Sequence, residues 1–145
     1  MVAQKVVQIA LWVGRVALAV TLLSAVADRF GLWGPHGAPH VAWGDWEHFV
    51  AYTGVLNGWA PKGLVPVLAW VGTVLEVGLA VGLLAGFYLE YVAYSAAALF
   101  AVFALAMTIY TGVKAPLDAS VFGDMAGALL LGVVAGLDKK AYPKG

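Results

Sequence analysis

The sequence contains no cysteine. It can therefore form no disulfide, carry no thiol redox relay and offer no thiolate to a metal. It is also poor in charge: 11% of its 145 residues are Asp, Glu, Lys or Arg, with 8 of each sign and a formal net charge of +0. Without a basic excess there is no electrostatic footprint for a phosphate backbone, so no nucleic-acid partner is expected. Histidine is confined to His36, His40 and His48, all outside the apolar runs, which argues against a haem held between facing spans. His36 and His40 stand four apart, but Pro39 breaks the regular helix that would bring them to one ion, so no metal is expected either. No phosphate-binding loop, nucleophile elbow or HExxH motif appears.

What remains is apolar. Hydrophobic residues make up 63% of the chain and its mean hydropathy is +0.90, far above the usual soluble composition. Four runs, Val6–Ala27, Leu64–Gly86, Tyr91–Thr111 and Leu117–Leu137, each reach the roughly 20 residues that a helix needs to cross a bilayer, where a helix satisfies its own backbone hydrogen bonds. Ala25-Val26-Ala27 resembles a signal-peptidase site, but Arg15 interrupts the run and the run exceeds a signal core, so the first span is read as retained. The fold class predicted is all-α: one membrane domain over 1–145, a four-helix bundle in the lipid bilayer. An even number of spans leaves both termini on one side with Lys5, Lys139, Lys140 and Lys144; Arg29, Lys62 and Lys114 lie opposite. That slight excess favours cytoplasmic termini.

The long segment between the first two spans, residues 30–63, is aromatic. It holds Trp33, Trp43, Trp46 and Trp59 together with all three histidines. Within it Asp45 to Asn57 reads as a short interfacial helix. Asp45 is a plausible N-cap; Trp46, Phe49, Val50, Thr53 and Leu56 follow helical spacing; Gly58 is placed to stop it. Trp and Tyr favour the headgroup region, so the segment is expected to lie on the membrane. It serves either as an anchor without chemistry or as a lid over a pocket between the helices.

Arg15, Glu76 and Asp124 interrupt the spans. Charges at membrane depth are costly, face a bundle interior and mark functional positions by default. Arg15 lies nine residues into the first span and Glu76 ten from the end of the second, and consecutive spans run antiparallel. Both should sit near mid-membrane and pair, because each alone would cost far more. That pair either fixes helix register or floors a ligand or proton path. Asp124 is shallower, on the side of the aromatic segment, where Asp28, Arg29, Tyr110 and His48 form the expected pocket mouth. Such a pocket is a hydrated vestibule in which Asp124 caps a helix or pairs with Arg29, or a site for an amphipathic ligand such as a quinone. Gly78, Gly82 and Gly86, with Gly123/Gly127 and Gly132/Gly136, form small-residue stripes suited to close helix packing, within the chain or across a homo-oligomer seam.

Leu11-Trp12-Val13-Gly14-Arg15 in the first span, the run Thr73-Val74-Leu75-Glu76-Val77-Gly78 through Gly86 in the second, and a charge-free, Ala-rich third span together resemble the DoxX family of small four-helix membrane proteins. The stretch Ala27-Asp28-Arg29-Phe30-Gly31-Leu32-Trp33-Gly34-Pro35, followed by Trp43-Gly44-Asp45, looks like one bacterial branch of it. The resemblance implies a bacterial or archaeal cytoplasmic membrane, a link to quinone-coupled oxidoreduction and a redox partner protein, with Arg15 and Glu76 at the family's polar positions. The basic residues that often follow its second span are replaced by Phe87 and Tyr88. The Cys pairs of distant thiol-redox relatives are absent, so that activity does not transfer. Two functions follow. One is the membrane subunit of a quinone-linked oxidoreductase complex, with no intrinsic cofactor, quinone as ligand, and a partner to donate electrons. The other is a non-catalytic scaffold or assembly factor. Transport is the weaker reading, since multidrug exporters of this size carry their essential Glu in the first span.

Overall fold

The computed structural model describes residues 1–143; Lys144, one of the basic residues beside the termini, lies outside them. All regular structure among the described residues is helical: α1 Val2–Arg29, α2 Trp46–Leu56, α3 Val65–Ala85, α4 Leu89–Thr111, α5 Lys114–Asp118 and α6 Val121–Ala141. Helices α1, α3, α4 and α6 are each long and apolar enough to span a bilayer. The protein is a multi-pass helical membrane bundle.

Helix boundaries follow from local chemistry. Pro66, whose missing N–H costs nothing in a first turn, opens α3, and Gly86 closes it in the left-handed conformation (φ 77°). Tyr88, also left-handed (φ 48°), then turns the chain directly into α4. The fourth span begins at Val121 and not at Leu117. Pro116 fits the single turn of α5, and Ser120 at φ 59° breaks the chain between α5 and α6. A left-handed non-glycine residue cannot continue an α-helix.

Packing divides the bundle unevenly. The alanine face of α4 (Ala93, Ala96, Ala97, Ala104) and Phe100 meets Ala128, Leu131 and Ala135 of α6, and Leu18, Ala19 and Leu22 of α1 complete the core with Ala80 and Leu83 of α3. Gly132 lies under Tyr94 and Gly136 under Glu90, while a Cβ on Gly82 would stand 3.0 Å from Val92 of α4. These three glycines serve packing within the chain. Gly78, Gly123 and Gly127 meet nothing within 4 Å.

The two termini share one end of the bundle, where Gln8 Nε2 donates to Asp138 Oδ2 (2.9 Å). The aromatic segment and α2 cover the other end. Asp45 caps α2 by accepting the His48 N–H (2.8 Å), and Phe49, Thr53 and Leu56 bury the inner face of that helix. The short helix therefore starts and stops where its sequence signals stand.

Candidate intramembrane ligand site

The ion pair inside the bundle joins Arg29 to Glu76. The expected pairing of Arg15 with Glu76 is not formed. Arg29 and Glu76 are only 2% and 3% exposed. Arg29 Nη1 also donates to Thr73 Oγ1 (2.7 Å), whose own hydroxyl donates to the Ala69 carbonyl (2.8 Å). The guanidinium lies 3.8 Å from the Phe49 ring centroid and 5.4 Å from that of Trp43, so the aromatic segment closes over the cation.

Arg15 has a different partner. Its Nε donates to the carbonyl of Leu83 and its Nη2 to that of Leu84, both at 2.7 Å, with the guanidinium 4.2 Å from the Trp12 ring centroid. These carbonyls belong to the last turn of α3, which has no intrahelical donors for them. A cation there also faces the negative end of the helix dipole. Arg15 is thus a C-terminal cap supplied by a neighbouring helix. The difference from equal depth is seven to eight residues along α3, or about 11 Å at 1.5 Å per residue. Helix α1 is shifted along the bundle toward the termini, so that its end, Arg29, reaches Glu76.

A cavity of about 760 Å³ opens between the helices beside this pair. Arg29, Glu76, Asp124 and His48 all line it; Arg15, Asp28 and Tyr110 do not. Asp28 instead ties the aromatic segment to α1, its carboxylate accepting the N–H groups of Ala42 (2.8 Å), Trp43 (2.8 Å) and Gly44 (2.9 Å). Tyr110 packs against Gly58, where a Cβ would approach its ring to 2.9 Å, and so fixes the end of α2. Asp124 makes no side-chain hydrogen bond or ion pair among the described residues; its own N–H joins Ser120 O (2.9 Å). It neither pairs with Arg29 nor caps α6.

Helix α2 forms the roof. Phe49, Tyr52, Thr53 and Leu56 line the cavity from above, so the segment is a lid as well as an aromatic cluster, in which Trp46 stacks on Phe30 (5.5 Å) and meets Trp70 (4.2 Å). At the mouth the His36 and His48 rings stack at 3.4 Å, held by Trp43 O on His36 Nδ1 (2.8 Å) and by Asp45 on His48 Nδ1 (2.8 Å). The His48 N–H beside it holds the Asp45 carboxyl below the usual range. Burial pushes the Tyr52 phenol up, so at neutral pH it stays a donor.

Sequence reasoning missed Thr73, Trp43, Phe49 and His36 as parts of the site. Thr73 had a usable signal: it precedes Glu76 by one helical turn and shares its face. The other three belong to a segment whose fold onto the bundle is set by the Asp28 hydrogen bonds, which no periodicity encodes. Among the described residues no group of three His, Asp or Glu side chains stands close enough to hold a metal ion. Compared with protein-family models, curated proteins and solved structures, the chain matches none.

Chemically the site combines apolar walls with a few polar groups. These are a neutralised guanidinium, an unpaired carboxylate, two imidazoles and a phenol. They can orient the head of an amphipathic molecule and exchange protons with it.

Proposed function

We propose that this chain is the membrane subunit of a quinone-linked oxidoreductase complex and that its cavity holds the quinone. The observation that carries the reading is the cavity itself: about 760 Å³, within the range of sites for drug-sized ligands, with aromatic and aliphatic walls among which Arg29, Glu76, Tyr52 and His48 stand. A quinone is a flat ring with two carbonyl acceptors and an apolar tail. Phe49, Trp43 and Phe100 suit the ring, and Tyr52, His48 and Arg29 are donors of the kind its carbonyls accept.

The chain has no cysteine and no recognisable cofactor motif, so a partner protein with a flavin, haem or sulfur-transferring centre supplies the electrons. The resemblance to DoxX proteins supports the same division of labour. The slight basic excess beside the termini supports the cytoplasmic membrane of a bacterium or archaeon, with the termini inside.

The test is purification from native membranes in mild detergent, with mass spectrometry of the proteins and of the organic extract. A stoichiometric redox protein together with co-extracted quinone is the expected result. A second reading, the scaffold, is favoured by a narrow groove of about 190 Å³ between α1 and α6, lined by Ala10, Gly14 and Gly127 among others, which suits an incoming helix. A set of unrelated membrane proteins without quinone would favour it and sink the first.

A further inference from the structure

The cavity has a side as well as a roof. Its wall on α3 is one helical face, Leu68, Val71, Gly72 and Leu75, and on α4 it includes Leu99 and Val102. Val71, Leu75 and Val102 line the cavity and also face outward, 50%, 48% and 61% exposed. The cavity wall therefore continues into the lipid-facing surface. Helices α3 and α4 touch near their connecting turn, where a Cβ on Gly82 would meet Val92, and have parted by Gly72, where an added Cβ would meet nothing within 4 Å. What holds them apart is α2. Its C-terminal half packs through Gly54 on Val65 at the start of α3 and is followed by Gly58 on Tyr110 at the end of α4. The result is a wedge at one end, a hinge-like turn at the other and a slot between, open to the hydrocarbon layer.

The polar groups specify what can use the slot. The charge of Arg29 is taken by Glu76, yet Arg29 Nε–H is buried with no acceptor among the described residues. An orphaned buried donor costs about 1–3 kcal/mol and is normally met by a partner, so the occupant brings an acceptor. An anionic head is disfavoured because the remaining charge on the wall is the Asp124 carboxylate. A cationic head would find the Asp124 carboxylate but brings no acceptor for Arg29 Nε–H, and the Phe49 and Trp43 faces already carry the guanidinium.

From this geometry we infer that the cavity is a lateral site for a bilayer-resident amphipath with an uncharged, acceptor-bearing head. The head displaces the side chains that close over Arg29 Nε–H to reach it, and the apolar tail leaves through the slot between α3 and α4. The inference rests on the reading of the cavity as a ligand site and specifies how it is reached. It requires no quinone, only a neutral head on a lipid-soluble tail.

The experiment uses the full chain in lipid nanodiscs and pyrenedecanol, a neutral-headed probe that accepts energy from tryptophan; Trp43 lines the cavity. Saturable energy transfer is expected. Filling the slot with the pair Leu75→Trp and Val102→Trp should weaken apparent affinity at least tenfold, each sample being scored against its own unliganded spectrum. Val81→Trp, on an outward position of α3 away from the cavity, should leave it unchanged. Pyrenedecanoate, anionic, should bind at least tenfold more weakly than the alcohol. Equal binding by the slot-filled protein, no saturable binding by the unmodified one, or tighter binding of an ammonium-headed pyrene would each overturn the inference. Competition by decylubiquinone separates the two readings. Displacement of the probe supports both; persistence of slot-dependent probe binding without displacement removes the quinone and leaves the lateral site standing.

Discussion

Replacing Glu76 by leucine should destabilise the bundle severely, and replacing Arg29 as well should restore most of the loss. Arg29 is 2% exposed and has one ion-pair partner among the described residues. Glu76→Leu leaves that cation buried, with the Thr73 hydroxyl and the Phe49 face as its remaining support. Breaking one partner of a buried pair costs about 3–5 kcal/mol, whereas replacing both by apolar groups of similar volume is near neutral. Arg29→Met alone strands Glu76 and should cost a similar amount. The double variant should then lie within about 1 kcal/mol of the parent, a coupling of at least about 5 kcal/mol. At about 2–4 °C per kcal/mol for a chain of this length, each single variant loses roughly 10 °C and the double a few degrees. Thermal unfolding in detergent, followed by tryptophan fluorescence, measures this. The same cycle run on Arg15→Met with Glu76→Leu should be additive within about 0.5 kcal/mol, since the two side chains share no partner. A double variant as unstable as the two singles summed, or strong coupling through Arg15, would refute the assignment of the pair.

Three further outcomes are expected. Asp28→Ala removes the acceptor of three backbone N–H groups and should cost about 3 kcal/mol; limited proteolysis should then cut within residues 30–45 while the spans stay intact. Gly86→Ala places a side chain at φ 77°, against the Arg15 guanidinium, and should lower stability by more than about 1 kcal/mol, with Arg15→Gln similarly destabilising because the last carbonyls of α3 lose their charged donor. Because Asp45 titrates below its usual value, its cap contribution is complete above the unfolded pKa of about 4 and is lost as pH falls through the lower folded value. Trp46 emission should therefore change only below about pH 4, and Asp45→Asn, which caps without titrating, should reduce that change to the part that comes from the Asp28 carboxylate.

Hydropathy made the spans legible because a bilayer imposes a length and the chain has few charges to blur it. The start of α2 was legible because the Asp45 cap acts locally, and its stop was placed correctly although Asn57 ends the helix and Gly58 packs on Tyr110. Depth was not. Counting from the edges of apolar runs assumes that every helix is centred in the membrane, but α1 has 28 residues against 21 in α3, and the excess is taken up by sliding. What determines the slide is a contest that no single helix encodes: the unmet carbonyls at the end of α3 want a donor, the Glu76 carboxylate wants a cation, and α1 has an arginine for each. Asp124 was legible as a charge within a span and not as an unpaired one, since the absence of a partner is a property of the assembled wall.

Asp28 gives the protein a mechanical property. A single carboxylate at the end of a membrane-spanning helix grips three successive amides of the covering segment, so the two move as one piece. Any tilt of α1 is carried without slack to Trp43, whose ring faces the cavity. A molecule that enters the cavity and shifts α1 would thus move the covering segment as well, and the fluorescence of that indole is a built-in gauge of the motion.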